Sequence, residues 1–484
     1  LHAYTILKWR NQVLGTSEIT IIDSLMGLGK TTYILDQLRQ SINPFTDRKK
    51  VIVLVPLLSE IERYQLSLPA FAFKEPSERD PKRLRKIGHG KKFYDLIRLV
   101  EAGENIISTH SLFYKMDREL CAKLQKAGYE LIIDEVLETV TIYKSLDPDD
   151  LQVMLNEEMV SIDPRTRRLD WNQAKWPNYA GEFLRIRQLC ETGSLVVFRD
   201  KTFIWEFPSE FLRCFSKVTL ATYMFDASPF SAYLKNEGFT FNRQTVDGNL
   251  TTPSLIPWEA ARSTEAALKA RLRELIEIEG GNANDIGKEL SHSHPFSSGW
   301  IGRQPAPTIT GIKSSVSWFF KKHGIKSNRL AWTTFKDHRA ALKGNGYTRS
   351  HSRDPEKNPN MVAGEAYGFL PWNAQATNDY CEVEAMAYLL NVYYHPTVKA
   401  YFEHLGGSVS ADLYALSALL QWVWRSRIRK SEPIKLFIPS ERMRDLFARW
   451  LAADSTPALV KEIAGGDITF PLIHGGNRPL AIAA

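Results

Sequence analysis

Apolar runs and helical periodicity alternate along most of the chain. Ile19–Ile22 is a continuous β-branched run that predicts a buried strand, and Tyr33–Ser41 carries Ile34, Leu35 and Leu38 at helical spacing. Lys50–Pro56 (KVIVLVP) predicts a second strand. The LLSEIERY stretch that follows predicts a helix capped by Ser59, with Arg63 on its first turns. Asn105–Ser108, Leu131–Ile133 and Lys217–Tyr223 are further strands of the same kind. Strands that alternate with helices imply a parallel sheet with right-handed crossovers. Residues 140–216 interrupt the pattern with a charged and aromatic insertion in which VVFRDKTFIWEF reads as a hairpin.

Periodicity is lost over Gly238–Pro257, which carries Gly248, Pro253 and Pro257, and a domain boundary is expected there. The alternation then resumes. Arg329–Phe335, Gly368–Trp372 and Ile434–Pro439 read as strands, and Val383–Tyr393 and Asp412–Arg425 as helices. At 484 residues the chain is too long for one ordinary core. The expected division is a first α/β domain over 1–247, a second over 248–455 with a loose insertion at 279–307, and a tail over 456–484. Leu1–Glu18 has a helical look, and Gln12 in it stands where some ATPases read adenine.

The candidate chemistry sits where these elements meet. Asp23–Thr32 (DSLMGLGKTT) lies between a strand and a helix, the setting of a phosphate-binding loop. Gly27 and Gly29 allow the tight turn, and Ser24, Gly27, Leu28, Gly29, Lys30, Thr31 and Thr32 form the expected nucleotide cradle. Lys30 would reach the β- and γ-phosphates and Thr31 would ligate Mg²⁺. The first glycine of the usual G-x-x-x-x-G-K-[ST] pattern is replaced by Ser24. Leu131–Ile133 delivers two carboxylates at its end: Asp134, suited to hold Mg²⁺, and Glu135, suited to polarise the attacking water. Thr109 and His110 end one strand and Thr222 and Tyr223 another, where ligands of parallel sheets are met. On a continuous helix over Leu416–Lys430, at about 100° per residue, Gln421, Arg425 and Arg429 share a stripe that suits charge on a transferring phosphoryl group. Arg427 points away from that stripe, and is the alternative to Arg429 if the helix ends early.

Composition changes this picture little. A net charge of +7 permits a polyanionic partner without requiring one. Pro81–Lys92 (PKRLRKIGHGKK) is the densest basic run, either a solvated loop or a phosphate-backbone contact. Four cysteines without a C-x-x-C pair suggest a reducing, cytoplasmic setting and no structural zinc, and Ser291–His294 (SHSH) reads as a loop. No apolar run is long enough to predict a membrane span. The chain begins at Leu1 without an initiator Met or a signal-peptide pattern, so a few native residues are expected to precede it.

Taken in order, SLMGLGKTT, VIVLVPLLSEIER, NIISTHSLF, LIIDEV, VTLATYMFD, RLAWTTF, FLPWNAQATNDY and QWVWRSRIR resemble the successive motifs of superfamily 2 helicases, closest to the DEAD/DEAH-like branch carried by bacteriophages. The resemblance implies two RecA-like (P-loop NTPase) domains with mostly parallel sheets, ATP and Mg²⁺ in the cleft between them, and one nucleic-acid strand across both. It makes Lys30, Glu135, Gln421, Arg425 and Arg429 catalytic and Thr31 and Asp134 the metal ligands. It also implies that Thr109 and His110 contact the nucleic-acid backbone, and that Thr222, Thr377 and Asn378 couple hydrolysis to movement. The expected function is an ATP-dependent helicase or translocase, on DNA rather than RNA, working beside replication or recombination proteins. Three departures stand out: Trp424 replaces the glycine of Q-x-x-G-R-x-x-R, the second arginine of that motif is displaced to Arg429, and Gln375 stands at a position that is often basic. A DNA-packaging ATPase is the nearest alternative, although no carboxylate-rich nuclease segment follows. A non-catalytic nucleotide-binding scaffold is the other, and the presence of Glu135 argues against it.

Overall fold

The computed structural model describes residues 18–42, 49–78, 90–289, 293–348, 368–373 and 380–463. The first half builds a seven-stranded sheet. Its strands run from edge to edge as Leu255–Pro257, Phe241–Val246, Glu18–Asp23, Lys217–Thr222, Glu130–Asp134, Val51–Val55 and Ile106–Thr109. Every pairing is parallel except the outermost, between Phe241–Val246 and Leu255–Pro257. All five residues of Val51–Val55 are buried, as expected of a strand covered on both faces, which is why these strands read as unbroken apolar runs. The second half builds a five-stranded sheet in the order Ile276–Ile278, Ile434–Phe437, Ala385–Tyr388, Leu330–Thr333 and Gly368–Phe369, parallel throughout. The architecture is α/β, with two mostly parallel sheets in one chain.

The structure corrects several sequence expectations. Gly238–Pro257, where periodicity fails, forms the last two strands of the large sheet, so that sheet runs past residue 247. Val383–Tyr393 is not a helix. Its Ala385–Tyr388 segment is a central strand with every residue buried, and a short apolar run buried on all sides carries no period that separates the two. The helix after Val51–Val55 starts at Leu58, with Leu57 rather than Ser59 at its N-cap. Leu1–Ser17, including Gln12, lies outside the described residues, as does residues 81–89 of the basic run.

The insertion is a small antiparallel unit. Thr202–Glu206 pairs with Val140–Ile142 and Leu195–Phe198, and Val160–Ile162 pairs with Leu169–Trp171. Its buried Arg168 is ion-paired to the buried Glu206, which supplies the partner that a desolvated guanidinium needs.

The two halves exchange core residues. Leu25 and Leu28 of the glycine loop, with Tyr223, Met224 and Ala227, pack into the core of the second half around Leu416, Leu420 and Trp422. In return Tyr394, Val398, Tyr401 and Phe402 of the second half pack into the core of the first, and Tyr401 meets Phe198 of the insertion at 5.4 Å between ring centroids. Trp422, 2% exposed, donates its indole N–H to the Leu370 carbonyl at 3.0 Å. Removing such a ring costs roughly 3–5 kcal/mol, so the helix that carries it, Ala411–Val423, is held firmly. That helix packs on the short turn Phe225–Ala227 just beyond the strand Lys217–Thr222. This contact brings second-half side chains over the glycine loop.

Candidate functional site

The glycine loop is fixed at its root. Asp23, 1% exposed, accepts hydrogen bonds from the Phe225 amide and from Arg243 Nε, each at 3.0 Å. Arg243 also pairs with Asp226 at 2.5 Å, and its guanidinium lies 3.4 Å from the ring centroid of Trp258. The next amide, of Ser24, donates to the Thr222 carbonyl at 3.1 Å. Gly27 and Gly29 then take φ of 90° and 93°, which L side chains rarely adopt. A Cβ on Gly27 would stand 3.2 Å from Trp424 Cζ2, and one on Gly29 would stand 2.7 Å from Leu250 Cδ2. Gly29 caps the helix Lys30–Gln40, whose first-turn amides have no partner within the helix and carry the positive end of its dipole.

A cleft of about 420 Å³ opens at this helix start. Its walls include Gly27, Gly29, Lys30, Thr31 and Thr32 from the loop, and Asp134 and Glu135 from the end of Glu130–Asp134. Gln421, Arg425 and Arg429 of the second half close it. The sheet order explains the first pairing, since only the strand Lys217–Thr222 separates the glycine-loop strand from that of Asp134. Four cations, Lys30, Arg63, Arg425 and Arg429, face three carboxylates, Glu60, Asp134 and Glu135. The balance leaves room for an anion.

The electrostatics are those of a desolvated polar site. Burial pulls the Lys30 ammonium below its ordinary range, opposed by Glu135, Asp134 and Asp23, and its Nζ donates to the Ser24 carbonyl at 2.8 Å. Burial pushes Asp134 up, opposed first by Arg63 and then by hydrogen bonding from Tyr64. Burial likewise raises Glu135, with Lys30 opposing. Glu135 has φ of 73°, a left-handed conformation costly for a side-chain-bearing residue, and its amide is tied to the Ala221 carbonyl at 2.9 Å. Such strain concentrates at functional sites. Burial lowers Arg425, while Glu135 opposes, and its Nε–H is buried without a hydrogen-bond partner.

The expected single helix over Leu416–Lys430 does not form. The α-helix ends at Val423, and Ser426, with ψ of −177°, starts a separate 3₁₀ turn over Arg427–Lys430. Arg429 nevertheless lines the cleft, because the new turn aims it back. Arg427 instead pairs with Glu384 at 3.0 Å.

Other expected site residues fall elsewhere. Ser24 offers its carbonyl to Lys30, but its side chain is fully buried. Leu28 is a packing residue: its side chain is 7% exposed and its amide closes a turn onto the Leu25 carbonyl at 3.2 Å. Thr222 is buried beneath the loop. Thr109 is half-buried, its hydroxyl 2.9 Å from that of Ser111. His110 is buried, 8% exposed, so in this conformation it presents little surface to a nucleic-acid backbone. Thr377, Asn378 and Gln375 lie outside the described residues. His294 packs against Tyr393, with ring centroids 5.3 Å apart.

His110 has a different consequence. Burial lowers its pKa to about 4, against the opposing pull of a ring N–H donated to the Asp134 backbone carbonyl, while its Nε2 has no partner. Above pH 6.5 both folded and unfolded chains hold it neutral. As pH falls from 6.5 toward 4, the unfolded chain takes a proton that the folded chain refuses, a loss of up to about 3 kcal/mol. The wild-type thermal midpoint should therefore fall more between pH 7.5 and 5 than that of His110→Gln. Equal falls in the two chains would refute this.

The sequence places Arg63 on its helix without a role and singles out neither Glu60 nor Tyr64. Glu60 and Arg63 line the cleft, and the Tyr64 hydroxyl donates to Asp134 Oδ2 at 3.0 Å. The available signal was their i, i+3 and i+4 spacing on the helix just after a strand end. Met26, Leu250 and Trp424 also line the cleft, and only Trp424 was marked in the sequence, as a departure.

Comparison with known proteins bears on both the insertion and the second half. Residues 140–205 match the family described as the YonV middle domain, and residues 270–451 match the YonV C-terminal Rossmann-like domain. The chain is 28% identical over 440 residues to the SPbeta prophage-derived uncharacterized protein YonV of Bacillus subtilis (strain 168), covering 90% of this chain and 98% of that protein. Among solved structures, S. tokodaii Xpd4 is similar over 93% of this chain and 97% of its own, at 10% identity and a TM-score of 0.40. No helix among the described residues is long and apolar enough to cross a membrane. The chain is thus similar along most of its length to a prophage-derived protein and is built on two mostly parallel α/β sheets.

Proposed function

We propose that the chain is an ATP-dependent motor on nucleic acid, a helicase or translocase that hydrolyses ATP between its two halves. One observation carries this reading: the glycine loop, the Asp134–Glu135 pair and Arg425 with Arg429 line a single cleft, where Arg425 keeps a buried N–H without a partner. A phosphoryl group is the ligand such an arrangement suits, because transfer needs charge neutralised on the equatorial oxygens and a base on the far side.

The loop amides and Lys30 bind the β- and γ-phosphates. Thr31 and Asp134, which are hydrogen-bonded to one another, offer a hydroxyl and a carboxylate, hard oxygen donors that fit Mg²⁺, an ion that takes few protein ligands and fills its shell with water and phosphate. When bound, Mg²⁺ neutralises phosphate charge. Glu135 accepts the proton of the attacking water: burial raises its proton affinity, while Lys30 and Arg425 nearby favour the ionised form that can take the proton. Gln421 orients the water or the terminal phosphate, and Arg425 and Arg429 stabilise the charge that develops on transfer. Thr222, under the loop and bonded through its carbonyl to Ser24, passes a change in the loop into the sheet. The shared cores of the two halves would then carry that change to the grip on the track, for which single-stranded DNA is proposed ahead of RNA.

The test is ATP hydrolysis by the full chain with single-stranded DNA, duplex DNA and RNA in parallel, at one stated salt concentration because such binding weakens steeply with salt. Hydrolysis should rise with single-stranded DNA. Hydrolysis unchanged at saturating levels of all three would sink the motor reading.

A further inference from the structure

One oxygen of Asp134 is crowded. Its Oδ2 accepts from the Tyr64 hydroxyl at 3.0 Å and lies 3.3 Å from Arg63 Nη2. The same Arg63 nitrogen is 2.7 Å from Glu60 Oε2. Asp134 is largely buried, its side chain 11% exposed, whereas the Arg63 side chain is 46% exposed. Arg63, Glu60 and Asp134 all line the cleft that holds Lys30, Arg425 and Arg429. A buried carboxylate needs a cation, and here a guanidinium supplies it. A divalent ion bound to Asp134 would be repelled by a guanidinium that stays 3.3 Å from the same oxygen.

We propose that Arg63 is a phosphate-binding residue that exchanges partners: it neutralises Asp134 while the site lacks a divalent cation, and moves onto the nucleotide's phosphates, still tethered by Glu60, when metal and nucleotide enter together. This rests on the nucleotide reading above and adds to it a third arginine, contributed by the same half as the glycine loop. The exchange makes the site select metal-bound over metal-free nucleotide. A free divalent ion must displace Arg63 without giving it a new partner, whereas a metal–nucleotide complex brings one.

The experiment measures Mn²⁺ binding to the full chain by electron paramagnetic resonance, with Mn²⁺ alone and with Mn²⁺ plus a non-hydrolysable ATP analogue. Arg63→Gln should bind Mn²⁺ alone about fivefold more tightly, the size of a half-exposed ion pair, and bind the Mn²⁺–analogue complex more weakly. Glu60→Gln should do the opposite to Mn²⁺ alone, because Arg63 then rests wholly on Asp134. A merely structural role would move both variants the same way, and that result, or no change in either, overturns the exchange. A wild-type chain that binds the analogue normally while both variants match it rejects the exchange alone. A wild-type chain that binds no analogue at all rejects the nucleotide reading and the exchange with it.

Discussion

Arg425→Ala is expected to bind ATP nearly as well as the wild-type chain and to hydrolyse it about 10³-fold more slowly, the low end of what a trans-acting arginine contributes. The expectation follows from where the charge is needed. On the proposed reading Lys30 and the loop amides hold the ground-state phosphates, whereas Arg425 reaches the cleft from the second half with a buried Nε–H that has no protein acceptor. An interaction made mainly in the transition state lowers turnover and leaves binding alone. Nucleotide affinity by fluorescence titration and single-turnover hydrolysis separate the two. A variant that loses binding and turnover together would assign Arg425 to ground-state binding instead.

Glu135→Gln is expected to keep ATP bound and to lose turnover by about 10²–10⁴-fold, the range for removing a general base. The substitution keeps the shape of a side chain held at φ of 73° beside Lys30 and removes its capacity to take a proton. It should also accumulate the complex with ATP and single-stranded DNA, since the cycle stops before release. Rapid filtration of labelled ATP with and without DNA reads this. Turnover close to wild type would place the base elsewhere in the cleft.

Much of this site is legible in the sequence because its parts are local. The glycine loop and the Asp134–Glu135 pair each follow a strand buried on both faces, and such strands appear as short unbroken apolar runs whose ends mark the ligand side of a parallel sheet. What failed did so where tertiary packing overrides local pattern. Ala385–Tyr388 carries no period because everything around it is buried, so length and composition alone could not tell strand from helix. The arginine stripe was read on one continuous helix, yet Ser426 breaks it, and Arg429 reaches the cleft by way of a 3₁₀ turn and not by helical phase. Arg63 and Tyr64 could be placed on their helix but not aimed, since their partner Asp134 is some seventy residues away in the chain.

The motor reading and the roles of Lys30, Glu135 and Arg425 share one premise, that a triphosphate is seated in the first half and met by a guanidinium from the second. A structure of the full chain with a non-hydrolysable ATP analogue and Mg²⁺ tests it most directly. The phosphates should lie on the amides of Gly27–Thr31, with the terminal phosphate within hydrogen-bonding reach of Arg425. An analogue bound elsewhere, or one seated on the loop with Arg425 turned away from it, would contradict the account.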